Sequence, residues 1–272
     1  TLEPKDRLPP DHLKVCDACM RGQFQKRGKN RRTHLLFSPH AQSNRRKLTP
    51  GEAWSADIAG PFPESYEGNR YLIMFVDEAS NQNFVKAVPN KDCTDQALIE
   101  LKEFIKKSQL DCAEGHKLAM ISRLRTDRGG EFTSKLGTSP SHFNELCEKH
   151  NISQKFTSAE SSYMNGRAEG AIRILCDSWR ASLIAGSGDI RDWDSAAEYA
   201  AHCINRSPTK VTSDREIKQW KAEVAECKRS GRPEPEEPDR KSWTTRYTKF
   251  TGLEAQAKTC LPFGIHGWCT AG

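Results

Sequence analysis

The 272-residue sequence contains no apolar run approaching the length that crosses a bilayer, which argues against a spanning helix and against a membrane partner. It contains no internal repeat, which argues against a solenoid or array. Apolar residues are sparse for a compact enzyme, with a mean hydropathy of −0.76, so part of the chain is expected to be extended or solvated rather than packed. Cysteine pairing is also nearly absent. Of ten cysteines only Cys16 and Cys19 form a C-x-x-C, and no signal-like segment precedes them. The expectation is reduced thiols in an intracellular protein, not a disulfide framework. Thr1 in place of an initiating Met fits a piece of a longer polypeptide, or a trimmed chain.

The last absence is of one sign of charge. Between Met20 and Gly51 there is no Asp or Glu, yet nine Lys or Arg residues: Arg21, Lys26, Arg27, Lys29, Arg31, Arg32, Arg45, Arg46 and Lys47. Such a block repels itself and seeks a polyanion. It reads either as a solvated linker or as a phosphate-contacting arm. The net charge of +6 is therefore concentrated at one end.

What is present reads as alternating strands and helices. "EAWSADIAGPF" is a short strand stopped by Gly60-Pro61, "NRYLIMFVDEAS" a stronger one, and "NFVKAVPN" its hairpin partner across Asn81-Gln82. "CTDQALIELKEFIKKSQ" is an amphipathic helix with Ala97, Leu98, Leu101, Phe104 and Ile105 on one face, capped by Thr94 or Asp95. "KLAMISRLRTD" is a strand, "SHFNELCEKHN" a helix with Phe143, Leu146 and Cys147 inward, and "ISQKFTS" a strand. A long helix from Asn165 carries Ile172, Leu175, Cys176, Trp179 and Leu183 as its stripe, with Gly186 at its C-terminal cap. Another helix ends at Pro208. Trp179 and Trp193 read as core. The order predicts a mixed sheet with helices packed on its faces.

Three carboxylates hold special places. Asp57 closes the first strand, Asp127 closes the fourth before Gly129-Gly130, and Glu169 lies one turn into the long helix. If the strands of Asp57 and Asp127 are neighbours, their carboxylates converge, and a helix on that edge can add Glu169. Three converging carboxylates need a cation among them, and hard oxygen ligands suit Mg²⁺ or Mn²⁺. Two such ions serve in-line phosphoryl displacement. Taken singly, each acid also reads as a turn or helix-start residue, and Asp77 and Glu131 compete for the same roles.

Together the motifs "WSADIAGPF", "YLIMFVDEAS", "RTDRGGEF" and "YMNGRAEGAIR" resemble the integrase catalytic core of Copia-type long-terminal-repeat retrotransposons, in the retroviral integrase superfamily. Downstream, "INRSP" is similar to the family's Asn-Arg-x-Pro helix end, and "CLPFGIHGWC" to a region beyond its core. "CDACMRGQ" looks like half of its His-His-Cys-Cys zinc motif.

The resemblance implies an α/β, RNase H-like mixed five-stranded sheet with helices on both faces. It implies Asp57, Asp127 and Glu169 as catalytic and metal-binding residues, and demotes Asp77. It implies a polynucleotidyl transferase that joins 3′ ends of element DNA to target DNA with a two-metal Mg²⁺ or Mn²⁺ site. The working form is expected to be a homo-oligomer on DNA, acting in the nucleus. DNA contacts are expected from Arg27, Lys29, Arg31, Arg32, Arg45, Arg46 and Lys47 of the arm, and from Asn165 and Arg173.

Two departures stand out. Forty-one residues separate Asp127 from Glu169, more than the family's usual spacing. The surplus falls in "SKLGTSPSHF", and a surface loop tolerates insertion. Cys16 and Cys19 lack the paired histidines upstream, so they cannot close a tetrahedral site, and zinc is not expected in this fragment. The expected organisation is a basic arm with a remnant zinc motif over 1–49, the catalytic core over 50–209, and a charged, partly disordered extension over 210–272. An RNase H-like nuclease or transposase, and an inactive integrase-derived DNA-binding protein, are the rival readings.

Overall fold

The structure is a computed structural model that describes residues 48–127, 132, 142–156, 166–210, 214–231, 233–237 and 243–255. Three antiparallel strands come first: β1 (Ala53–Ala59), β2 (Tyr71–Asp77) and β3 (Asn83–Val88). Helix α1 (Thr94–Asp111), β4 (Arg123–Thr126), α2 (His142–Lys149) and β5 (Ser153–Phe156) follow. Two longer helices, α3 (Gly166–Gly186) and α4 (Trp193–Arg206), complete the first part.

The strands form one five-stranded sheet in the order β3-β2-β1-β4-β5. β1 pairs antiparallel with β2 and parallel with β4, and β4 pairs parallel with β5. This mixed sheet has the RNase H-like topology.

β2 occupies the second position and is buried on both faces, which is why "YLIMFV" is continuously apolar instead of alternating. Ile73 and Phe75 pack with Trp54, Leu98, Leu101 and Leu124 on one side. Leu72, Met74 and Val76 pack with Leu175, Trp179, Trp193 and Ala197 on the other. Helices α1 and α2 thus cover one face, and α3 and α4 the opposite one. The stripes expected on α1 and α2 are buried, with Phe104 only partly covered. On α3, Leu175, Trp179 and Leu183 are buried while Ile172 and Cys176 are partly so.

Three local expectations fail for identifiable reasons. Thr94 and Asp95 lie inside the first turn of α1, whose N-cap is Cys93 without a side-chain bond. Asn90 caps the short turn just before, accepting from the Asp92 amide. Gly186 is the last residue of α3, and it is Ser187 that turns left-handed at φ 50°. The strand expected from Lys117 pairs only over Arg123–Thr126. Upstream of it, the Ala119 and Ser122 amides donate instead to Pro50 and Glu52 in the approach to β1.

Among the described residues from Thr209 on, the chain continues into further structure. It makes a short strand β6 (Thr209–Lys210), helix α5 (Asp214–Ser230), strand β7 (Trp243–Thr244) and helix α6 (Arg246–Thr251). β6 pairs with β7, closing the excursion and returning the chain to the sheet. There Phe250 is fully buried, stacked on Phe104 at 5.7 Å and edge-on to Trp54 at 5.7 Å. Asn205 marks the junction. Its side chain accepts from the Asn83 amide at 2.9 Å and donates to the Asn83 carbonyl at 2.8 Å. It thereby serves edge strand β3 as a neighbouring strand would, which gives the Asn of "INRSP" a physical task. Among the described residues, no helix is long and apolar enough to cross a membrane.

Candidate active site

β1 leaves the core partway along its length. Ala53 to Ala56 are buried, and Asp57 to Ala59 are half-buried. Trp54 and Ala56 point into the α1 side of the sheet, so alternation turns Ser55 and Asp57 to the α3 side. Asp57 lies opposite Met74 of β2, which packs on that same side.

β4 runs parallel beside β1 with Ala53, Trp54 and Ser55 aligned to Arg123, Leu124 and Arg125. Carrying the same offset two residues further sets Asp127 level with Asp57. Leu124 packs on the α1 side, so Arg125 and Asp127 share the α3 side with Ser55 and Asp57. Adjacent strands lie about 4.8 Å apart, which brings the two aspartates to neighbouring positions at one sheet edge.

Helix α3 packs across β1 and β2. Glu169 sits exposed in its first turn, and Arg173 is exposed one turn on. A cleft of about 450 Å³ opens between this helix and the end of β1. Ala59, Gly60 and Phe62 line the strand side, and Glu169, Ile172 and Arg173 the helix side. Gly60 is required here. Its φ is +128°, and a Cβ would stand 2.7 Å from the Arg70 carbonyl oxygen.

The hard-oxygen donor chemistry of Asp57, Asp127 and Glu169 fits Mg²⁺ or Mn²⁺. Their placement fits only in part. Among the described residues, no three His, Cys, Asp or Glu side chains are gathered closely enough to hold a metal ion, so the three carboxylates do not meet at one point. The sheet aligns the two aspartates, and the helix brings Glu169 to the adjoining cleft. Residues 157–165, which lead into α3, lie outside the described residues.

Asp77 is decided clearly. It is fully buried and pairs with Trp54, so it lies toward the opposite end of β1 from Asp57. Its carboxylate accepts from the Gly51 amide at 2.9 Å, the Ser80 amide at 2.7 Å and the Ser80 hydroxyl at 2.7 Å. Burial still outweighs these bonds and raises its pKa above the ordinary carboxyl value. Asp77 therefore staples the β2–β3 turn to the approach of β1 and is not part of the carboxylate edge. Gly51 is obligatory beneath it, because a Cβ there would stand 2.2 Å from the Ala119 carbonyl oxygen.

The remaining expected site residues lie outside the described residues: Cys16, Cys19, Arg27, Lys29, Arg31, Arg32, Arg45, Arg46, Lys47, Glu131 and Asn165. Three polar residues of the α3 face lie within the quoted motifs, yet the sequence does not single them out: Ser55, Arg125 and Glu78. Period-two alternation, applied backward from Asp57 and Asp127, is the signal that finds the first two.

A mixed five-stranded sheet in the order β3-β2-β1-β4-β5, with helices on both faces, defines the RNase H-like class of folds. Residues 48–162 match the integrase core domain family. The Retrovirus-related Pol polyprotein from transposon TNT 1-94 of Nicotiana tabacum is 30% identical over 198 residues, 72% of this chain. This chain spans only 13% of that polyprotein's length. Among solved structures, the magnesium-bound catalytic core domain of HTLV-2 integrase is 18% identical with a TM-score of 0.44, covering 65% of this chain and 98% of that one. The BIV integrase catalytic core domain is 16% identical with a TM-score of 0.40, covering 58% and 85%.

Proposed function

We propose that this chain is the integrase portion of a Copia-type retrotransposon polyprotein, joining 3′ ends of element DNA to target DNA. The observation that supports the reading is the parallel register of β1 and β4, Ser55 beside Arg125, which carried two residues further would bring Asp127 level with Asp57 on the face crossed by the Glu169 helix. The family of residues 48–162 supports it.

In this reading Asp57, Asp127 and Glu169 would hold Mg²⁺ or Mn²⁺, with Glu169 carried toward the aspartates by the start of α3. Bound metal supplies Lewis-acid activation of the attacking oxygen and stabilisation of the leaving oxygen. The chain's own residues orient the DNA. Arg173 offers a cation at the cleft, and the basic arm supplies sequence-independent phosphate contacts. The attacking group is the 3′ hydroxyl of the element end. It displaces the 3′ oxygen at a target phosphodiester, so one P–O bond forms as another breaks, and no protein–DNA bond is needed. Each element end requires its own active site in register, so the working form in this reading is a homo-oligomer on DNA, acting in the nucleus.

The test is a duplex carrying a recessed 3′ end, incubated with target plasmid and divalent metal. Joined strands support the reading. Nicks without joining make the protein a nuclease of the same fold.

A further inference from the structure

Glu78 directly follows β2 and opens the turn to β3. Its side chain is only 13% exposed. One carboxylate oxygen accepts from the Ser55 hydroxyl at 2.9 Å and pairs with the Arg125 guanidinium at 3.2 Å. Its backbone amide donates to the Ala53 carbonyl at 2.8 Å. Its carbonyl accepts from the Arg167 guanidinium at 3.2 Å, and the same Arg167 nitrogen donates to the Asn81 side chain.

The three side-chain partners share one spacing. Ser55 lies two residues before Asp57, Arg125 two before Asp127, and Arg167 two before Glu169. On a strand, two residues is one full period, so each strand partner shares a face with its aspartate. On a helix, two residues is just over half a turn. Arg167 therefore grips the turn from one side of α3, and Glu169 leaves from another. Three segments that are distant in sequence are tied to one residue, each beside the carboxylate it carries.

We propose that Glu78 is a positioning residue whose carboxylate sets β1 and β4, and whose backbone carbonyl holds α3 through Arg167, fixing Asp57, Asp127 and Glu169 relative to one another. This rests on the functional reading above. A carboxylate this enclosed is held in place by its partners, because an unpaired one would be costly to bury. Asn81, at φ 63°, holds the turn that presents the Glu78 carbonyl to Arg167. A sub-ångström to ångström misalignment of reacting groups costs an enzyme up to about a hundredfold, so loosening this tie is expected to act on turnover and not on DNA affinity.

The test compares the full chain with Glu78→Ala, Glu78→Gln and Arg167→Met. Strand-joining kcat and KM for DNA, the melting midpoint, Mn²⁺ binding by calorimetry, and amide exchange at the start of α3 are measured. Arg167 is exposed, so its loss leaves the core folded. Arg167→Met is expected to lower kcat about tenfold or more, with KM and melting unchanged and with faster exchange at residues 167–170. Glu78→Ala is expected to lower kcat further and to weaken Mn²⁺ binding. Glu78→Gln keeps an acceptor for Ser55 and Arg125 and is expected to recover most of the loss. A raised KM at unchanged kcat in Arg167→Met would make that residue a DNA contact and overturn the proposal. So would equal kcat and melting losses in the Ala and Gln variants. If wild type joins no DNA, the functional reading fails instead, and exchange and Mn²⁺ binding still decide whether Glu78 positions the three segments.

Discussion

Ser55 of β1 lies level with Arg125 of β4, and the same offset carried two residues further brings Asp127 level with Asp57. Two carboxylates at neighbouring positions favour a shared cation. Added Mg²⁺ or Mn²⁺ is therefore expected to raise the melting midpoint of the wild-type chain, since a ligand that binds only the folded state stabilises it. Asp57→Asn and Asp127→Asn are expected to melt at or slightly above wild type without metal and to lose most of the metal-induced rise. Thermal melts across a metal titration measure this.

The core closes on a residue far along the chain. Phe250 fills the space between Trp54 and Phe104 and is fully buried. Phe250→Ala is expected to destabilise the fold by about 3–5 kcal/mol, read from urea unfolding. Ending the chain at residue 209 removes the same ring together with all of α6, and is expected to give a product that aggregates or fails to fold cooperatively.

Asn205 tests the edge of the sheet. Asn205→Ala leaves the buried amide and carbonyl of Asn83 without their side-chain partner. The expected cost is about 2–3 kcal/mol, with fast amide exchange confined first to β3. Unchanged protection of the Asn83 amide would show that something else completes that edge.

The Asp77 carboxyl gives a pH signature. Burial raises its folded-state pKa above the ordinary value. Between those two values the native chain keeps a proton that the unfolded chain has released. Stability is then expected to fall as pH rises through that window, the reverse of the usual acid-side trend for paired carboxylates. Asp77→Asn is expected to flatten this component while costing about 1–3 kcal/mol, because an amide cannot accept on both of the sides that face Gly51 and Ser80. Urea midpoints from acid to neutral pH, compared between the two proteins, check it.

Much of the sheet is legible from side-chain periodicity. "YLIMFV" reads as a strong strand, which the structure buries on both faces, and the α1 stripe from Ala97 to Ile105 marks the helix that covers one of them. Asp57 and Asp127 stand out in the sequence as candidates because each lies near the end of a strand, with glycine two or three residues on. The place of Phe250 is not legible. It follows a long charged stretch of low apolar content, and nothing local distinguishes it from any phenylalanine of a solvated tail. The role of Glu78 is hidden for a different reason. Its partners Ser55, Arg125 and Arg167 come from three separate segments, and only the tertiary arrangement reveals their common spacing from the carboxylates.

The central claim is tested most directly by strand joining. The full chain is given a recessed element-end duplex, target plasmid and either Mg²⁺ or Mn²⁺, beside the same chain carrying Asp127→Asn. The account predicts joined product from wild type and a loss of at least about a hundredfold in the variant, with both proteins folded by the same melting criterion. Equal product from the two would contradict it.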